Sequence, residues 1–138
     1  MVKDGEIQTL ELKSQSESLS IVERMIEEVR DTYNVNEDTF GNMLVALTEA
    51  VTNAINHGNK SDPSKTVRVQ YGCVHNTLTF KISDEGKGFD FYNLPDPTAP
   101  ENLEKECGRG IFLMKHLADQ LIFSDGGRVV ELNFKLNG

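Results

Sequence analysis

Residues 67–82, VRVQYGCVHNTLTFKI, decide the fold. Val67, Val69 and Tyr71 alternate with polar neighbours, as do Leu78, Phe80 and Ile82, and His75-Asn76 stands between the two runs as a turn pair. A period of two puts each apolar set on one face of a strand, so the segment predicts an antiparallel hairpin with one apolar and one wet side. An apolar sheet face needs a covering layer, and the flanking sequence supplies it.

Upstream, EIQTLELK (6–13) reads as a short strand. Val22, Met25, Ile26, Val29 and Tyr33 then recur at three and four residues and leave Glu23, Glu27, Glu28 and Arg30 solvated, which predicts an amphipathic helix ending near Tyr33-Asn34. Ser20 and Glu23 have capping-box spacing, with Ser18 a competing start. Asn36, followed by Glu37 and Asp38, is a good N-cap for a second helix carrying Phe40, Leu44, Leu47, Val51, Ala54 and Ile55 to about His57-Gly58. Gly58 reads as its C′ glycine and NKSDPSK as an exposed loop. Downstream, apolar residues at 111, 114, 117, 118 and 121 predict a helix from Ile111 to Leu121. LIFS and VVELNFKL flank Asp125-Gly126-Gly127-Arg128 as a last hairpin with Val130, Leu132, Phe134 and Leu136 on one face. The order β-α-α-β-β-loop-α-β-β gives the expected class: α+β, a two-layer α/β sandwich with a mixed, mostly antiparallel sheet and about three helices on one face, in one domain over residues 1–138.

Composition narrows the function. In 138 residues, 38% hydrophobic and 26% charged side chains describe a soluble globular domain, and a net charge of −8 argues against nucleic acid and against an anionic membrane surface. Cys73 and Cys107 are too few for a disulfide framework, the start MVKDGEIQTLELKSQ has no apolar signal core, and no uncharged apolar run is long enough to span a membrane. A cytoplasmic protein is the expectation. Three of four prolines (Pro95, Pro97, Pro100) lie close together, flanked by Gly86, Gly88, Gly108 and Gly110, which marks a long loop with a function.

Three elements carry candidate chemistry. Glu49 and Asn53, four apart on the second helix, point the same way and suit water activation or a hard cation, although a helix-surface hydrogen bond is the plainer reading. Asparagine recurs through TEAVTNAINHGN despite its poor helix propensity, which favours the functional one. Asp84-Glu85-Gly86-Lys87-Gly88-Phe89 follows a strand, where a carboxylate can accept from an exocyclic amine while glycines let backbone approach a flat ring; D-x-G-x-G is also an ordinary turn. Gly108-Arg109-Gly110 opens a helix, whose free amides and dipole favour phosphate, with Arg109 able to add a charge-assisted contact. There is no Walker A loop and no G-x-S-x-G elbow, and His57, His75 and His116 with the two cysteines lack zinc-ligand spacing.

With these elements in this order, the chain resembles the GHKL group of ATPases, whose Bergerat fold is shared by gyrase, MutL and histidine-kinase catalytic domains. Within LTEAVTNAINHG residues 48–58 look like the N box, within SDEGKGF residues 84–89 look like the G1 box, and within GRGIFLMKHLADQL residues 108–114 look like the G2 box of the small anti-sigma factor serine kinases of the RsbW/SpoIIAB type, with an ATP lid at 91–107. The resemblance implies ATP and Mg²⁺ as cofactors: Asn53 would hold Mg²⁺, Glu49 would be the general base, Asp84 would bind the adenine amino group, and Gly86 and Gly88 would shape its pocket. Gly108, Arg109 and Gly110 would meet the phosphates, with Asn56 a neighbour on that side. One departure stands out: many members have a threonine after the glycine of the last hairpin, where this chain has Arg128 and Val129 after Gly127. Gyrase-type action needs transducer domains and a sensor kinase needs a helix bearing its phosphoacceptor histidine. The resemblance therefore implies a free-standing serine/threonine-protein kinase, an anti-sigma factor whose partners are a sigma factor and a STAS-domain anti-anti-sigma factor, with a homodimer common among members. The alternatives are a non-catalytic ATP-binding module that captures a protein, or a histidine kinase-type domain acting with a separate phosphoacceptor.

Overall fold

In the computed structural model, which describes residues 5–87 and 106–136, five strands and three α-helices alternate in the expected order. These are β1 (Gln8–Lys13), α1 (Ser18–Tyr33), α2 (Glu37–Asn53), β2 (Thr66–Val74), β3 (Thr77–Ser83), α3 (Glu106–Leu117), β4 (Gln120–Ser124) and β5 (Val129–Lys135). The sheet runs β1-β2-β3-β5-β4, and every described pairing is antiparallel. His75 and Asn76 turn β2 into β3 with φ of 51° and 60°, a left-handed pair that histidine and asparagine tolerate better than most residues.

Register explains the core. Leu12 lies opposite Val67, Val69 opposite Ile82, Tyr71 opposite Phe80, Leu78 opposite Phe134, Phe80 opposite Leu132 and Ile82 opposite Val130, so one sheet face is continuously apolar. It meets Val22, Met25, Ile26 and Val29 of α1, Met43, Leu47, Ala50 and Val51 of α2, and Ile111 and Met114 of α3 in one buried cluster. Phe80, Phe134 and Leu132 are almost wholly excluded from water, each a burial worth about 1.5–3 kcal/mol. The opposite face carries ion pairs between Arg68 and Glu11 (3.3 Å) and between Lys81 and Glu131 (3.8 Å).

Local signals hold in part. Asn36 caps α2 by accepting from the Thr39 N–H at 2.8 Å, and Asn34 ends α1 at φ 52°. The capping box at Ser20 and Glu23 does not form: α1 starts at Ser18, whose hydroxyl donates to the Lys13 carbonyl (2.7 Å), while Ser20 donates to the Glu17 carbonyl (2.8 Å). The last helix begins before Ile111, at Glu106, and ends at Leu117; Leu121 belongs to β4, where it pairs with Leu132. A helical and a strand period both accommodate apolar residues at 117, 118 and 121, and sheet pairing decides between them.

The C-terminus of α2 positions the site. Beyond Asn53 the helix widens into a π turn over Ala54–Gly58, closed by the Asn59 N–H on the Ala54 carbonyl (2.9 Å). Left-handed residues then come at Lys60 (φ 55°) and Ser61 (φ 58°), so Gly58 is not the left-handed C′ residue. The wide turn swings Asn59 inward, to full burial. Its Nδ2 donates to Ser14 Oγ (2.8 Å) and to the Thr66 carbonyl (3.1 Å), and its Oδ1 accepts from the Glu85 N–H (2.7 Å). Ser14 Oγ in turn donates to the Lys65 carbonyl (2.8 Å). Asn59→Ala strands the buried Ser14 hydroxyl and breaks the part-buried bonds to Thr66 and Glu85, so urea unfolding should show a loss of about 2–4 kcal/mol; a loss under about 1 kcal/mol would mean that water takes over these bonds.

Candidate nucleotide site

Asp84, just past β3, is the first fixed point of a cleft. Its backbone N–H donates to the Arg128 carbonyl (3.0 Å), joining the end of β3 to the turn before β5, and its Oδ1 accepts from the Gly86 N–H (2.8 Å). Burial pushes its carboxyl above the usual carboxylate range, against the Gly86 hydrogen bond and the Arg128 charge, which pull it down. Two glycines make room for it: a Cβ on Gly58 would collide with the Asp84 carboxylate, and a Cβ on Gly86 with the Gly58 carbonyl oxygen. Glycine is needed at both places for close approach rather than for an unusual φ.

From Asp84 a slot of about 570 Å³, its open mouth included, runs between α2, α3 and the sheet. Ala50, Ala54, Ile82, Ile111, Met114, Phe123 and Val130 give it apolar walls, with Asn53, His57, Asp84 and Arg128 as polar groups. Apolar walls with a few convergent polar groups suit a flat, partly polar ligand, and a half-buried carboxylate at one end can accept from an amino group. Asn53 lines the slot, while Glu49 and Gly110 stand outside its lining. Where the end of α2 meets α3, Gly110 packs against both Asn53 and Glu49: a Cβ on Gly110 would lie 3.0 Å from Glu49 Oε2, 3.0 Å from Asn53 Nδ2 and 3.3 Å from Asn53 Oδ1. The fold thus brings Glu49 and Asn53 together with Gly110, which lies 57 residues beyond Asn53 in the sequence.

The remaining candidates are placed differently. Gly108 is in the first turn of α3 and Arg109 follows on its exposed side, so of the three residues Gly108 is the one at the helix start, while Gly110 acts by its lack of a side chain. Asn56 is exposed, its Oδ1 accepts from Ser61 Oγ (3.1 Å), and it is absent from the slot lining. Gly88, Phe89 and residues 91–105 with their three prolines lie outside the described residues, and the last two positions of the expected lid, 106 and 107, belong instead to the first turn of α3. No group of three or more His, Cys, Asp or Glu side chains that could hold a metal occurs among the described residues, which leaves the Asn53 amide oxygen and Glu49 as the hard donors beside Gly110.

Arg128 takes part in a way that its sequence position did not reveal. Its Nε donates to the Gly86 carbonyl (2.8 Å) and its Nη1 to the Asp125 carbonyl (3.1 Å), so it ties the Asp84–Gly86 turn to the last hairpin. Gly58 and Asn59 were also missed as site residues. The available signals were a glycine followed by left-handed non-glycine residues, and one asparagine more than a solvated loop requires.

A sequence profile of the histidine kinase-like ATPase domain matches residues 12–134. The chain is similar to the serine-protein kinase RsbW of Bacillus subtilis (27% identity, 94% of this chain and 85% of the relative) and to that of Bacillus licheniformis (28% identity, 93% and 86%). The crystal structure of the RsbU and RsbW domains of a Mycobacterium tuberculosis protein superposes with a TM-score of 0.69 at 14% identity. That match covers 95% of this chain but 32% of the longer one, and speaks for the fold.

The Asp84 environment has a pH consequence. A carboxyl held above its ordinary 3.8 binds its proton more tightly folded than unfolded. The stability this gives is fully present below 3.8 and is lost as pH rises through the folded value. Thermal unfolding across pH should therefore show wild type losing ground to Asp84→Asn as pH rises, with the variant at least as stable at neutral pH. A pH-independent difference between the two would overturn this account.

Proposed function

The chain belongs to the histidine kinase-like ATPase domain family, and from that membership we propose that it is an ATP-dependent serine/threonine-protein kinase and anti-sigma factor of the cytoplasm. In this reading it holds a sigma factor, phosphorylates a STAS-type anti-anti-sigma antagonist, and pairs with a second copy of itself. The observation that carries it is the Glu49–Asn53 pair against Gly110, where the end of α2 meets α3 beside the slot that Asn53 and Asp84 line. A site for nucleotide binding alone has no need of a carboxylate there.

Asp84 and the apolar walls take the adenine, which leaves the phosphates toward Asn53 and the first turn of α3 at Gly108. The Asn53 amide oxygen is a donor that Mg²⁺ accepts, and the ion supplies neutralisation of the phosphate charge. Glu49 accepts the proton of the substrate hydroxyl as its oxygen bonds to the γ-phosphorus and ADP departs. Gly110 lets α3 come close to both Glu49 and Asn53. A phosphorylated antagonist then carries a near-dianion toward a chain of net charge −8, which favours its release.

Labelled ATP with Mg²⁺, a STAS-domain antagonist and the protein test this directly. Wild type transfers label to a serine or threonine; Glu49→Ala lowers the rate at least about a hundredfold while keeping the stabilisation by ATP-Mg²⁺ in a thermal-shift assay, and Asn53→Ala loses that stabilisation. ATP-dependent stabilisation with no transfer to any partner would replace the kinase by a binding module, and transfer by Glu49→Ala at the wild-type rate would remove the base.

A further inference from the structure

A second cleft adjoins the slot and has the opposite electrostatic character to the chain as a whole. Lys60, Lys65, Lys87 and Arg128 line it, around a volume of about 1050 Å³ open to solvent. The single carboxylate among its lining residues is Glu85, whose Oε2 is already occupied by the Thr66 N–H. Among the described residues Lys60, Lys65 and Lys87 belong to no ion pair, whereas Arg30, Arg68, Lys81 and Arg128 each do. Asp62 senses Lys65, which adds to two Ser64 hydrogen bonds in holding that carboxyl below its usual range.

The backbone under these cations is fixed before any ligand arrives. Asn59 anchors the chain beside Lys60, Ser14 Oγ holds the Lys65 carbonyl, the Gly86 N–H next to Lys87 is bonded to Asp84, and Arg128 is bonded to Gly86 and Asp125. Bringing three ammonium groups without ion pairs to one mouth costs mutual repulsion, which Asp62 offsets only at Lys65 and an anion in the cleft relieves further. A long polyanion would also meet the field of a chain of net charge −8. Charges beyond roughly 8 Å are screened at physiological salt, so a short acidic segment responds mainly to the local cluster.

We propose that this cleft is a docking site for a short acidic peptide segment of a protein partner. The proposal stands on the arrangement of the cations and does not depend on the kinase reading. Because Arg128 and Gly58 belong to both walls, the docked segment lies beside the slot that holds Asp84.

Fluorescence anisotropy with a fluorescein-labelled oligoglutamate peptide tests it, compared with oligoglutamine and a single-stranded DNA of similar length. Wild type binds the glutamate peptide and not the glutamine one. The triple variant Lys60→Glu/Lys65→Glu/Lys87→Glu weakens binding about tenfold or more, as three lost exposed pairs would. The control Arg24→Glu/Lys115→Glu/Lys135→Glu makes the same change in net charge elsewhere and shifts it less than about twofold. Amide chemical-shift changes on titrating wild type with the peptide fall at residues 60, 65, 87 and 128, a readout that does not require the variant to fold. Equal weakening in both triple variants, shift changes elsewhere, absence of peptide binding at low salt, or tighter binding of DNA than of peptide would each overturn the proposal.

Discussion

One buried amide holds the candidate site together. The Asn59 side chain bonds Ser14 after β1, Thr66 at the start of β2 and Glu85 after β3, with both Nδ2 hydrogens and Oδ1 in use. A primary amide is suited to this, since it presents two donors and an acceptor in one plane. Asn59 directly follows the π turn that ends α2, so the bonds to Glu85 and Thr66 set how the helix bearing Glu49 and Asn53 stands relative to the turn bearing Asp84. Buried polar groups are costly when unpaired, which makes this arrangement strongly preferred over its neighbours.

Under the proposed function, an acidic chain accommodates a polyanion in this slot. Global charge opposes the ligand, so recognition has to come from groups within a few ångströms: one half-buried carboxylate for an amino group, apolar walls for a ring, and an amide oxygen beside a second carboxylate where phosphates would lie. Asp84 pays in stability for its partial dehydration. Gly58, Gly86 and Gly110 each remove a side chain where two backbone segments or a backbone and a carboxylate must touch, and the site is as compact as it is because of them.

Much of the fold was legible in the chain because the relevant forces are local. Alternation in 67–82 set the hairpin, the 22-25-26-29-33 pattern set α1, and Asn36 before two acids set the start of α2. Where two local solutions compete, sequence reading went astray. Ser18 and Ser20 bond carbonyls in place of a capping box, and Leu121 joined β4 because pairing with Leu132 completes the apolar face of the sheet. In the site, Glu49, Asn53, Asp84 and Gly110 were visible as residue types at suggestive spacing, whereas the inward turn of Asn59, the bond from Arg128 to Gly86 and the exposure of Asn56 were not.

The sequence by itself determined the order of elements, the two-layer class and the short list of groups able to meet a nucleotide, since periodicity and residue chemistry act over a few residues. Tertiary structure alone decided which of those groups share a slot. Gly110 reaches Glu49 and Asn53 only when α3 lies against α2, and Gly58 reaches Asp84 only after a π turn shifts the helix end. Such contacts depend on helix packing and on a one-residue change of winding, and neither leaves a periodic trace in the chain. The acidic composition describes an average over the surface, while the cluster of Lys60, Lys65, Lys87 and Arg128 exists because the loop after α2, the turn after β3 and the turn before β5 converge.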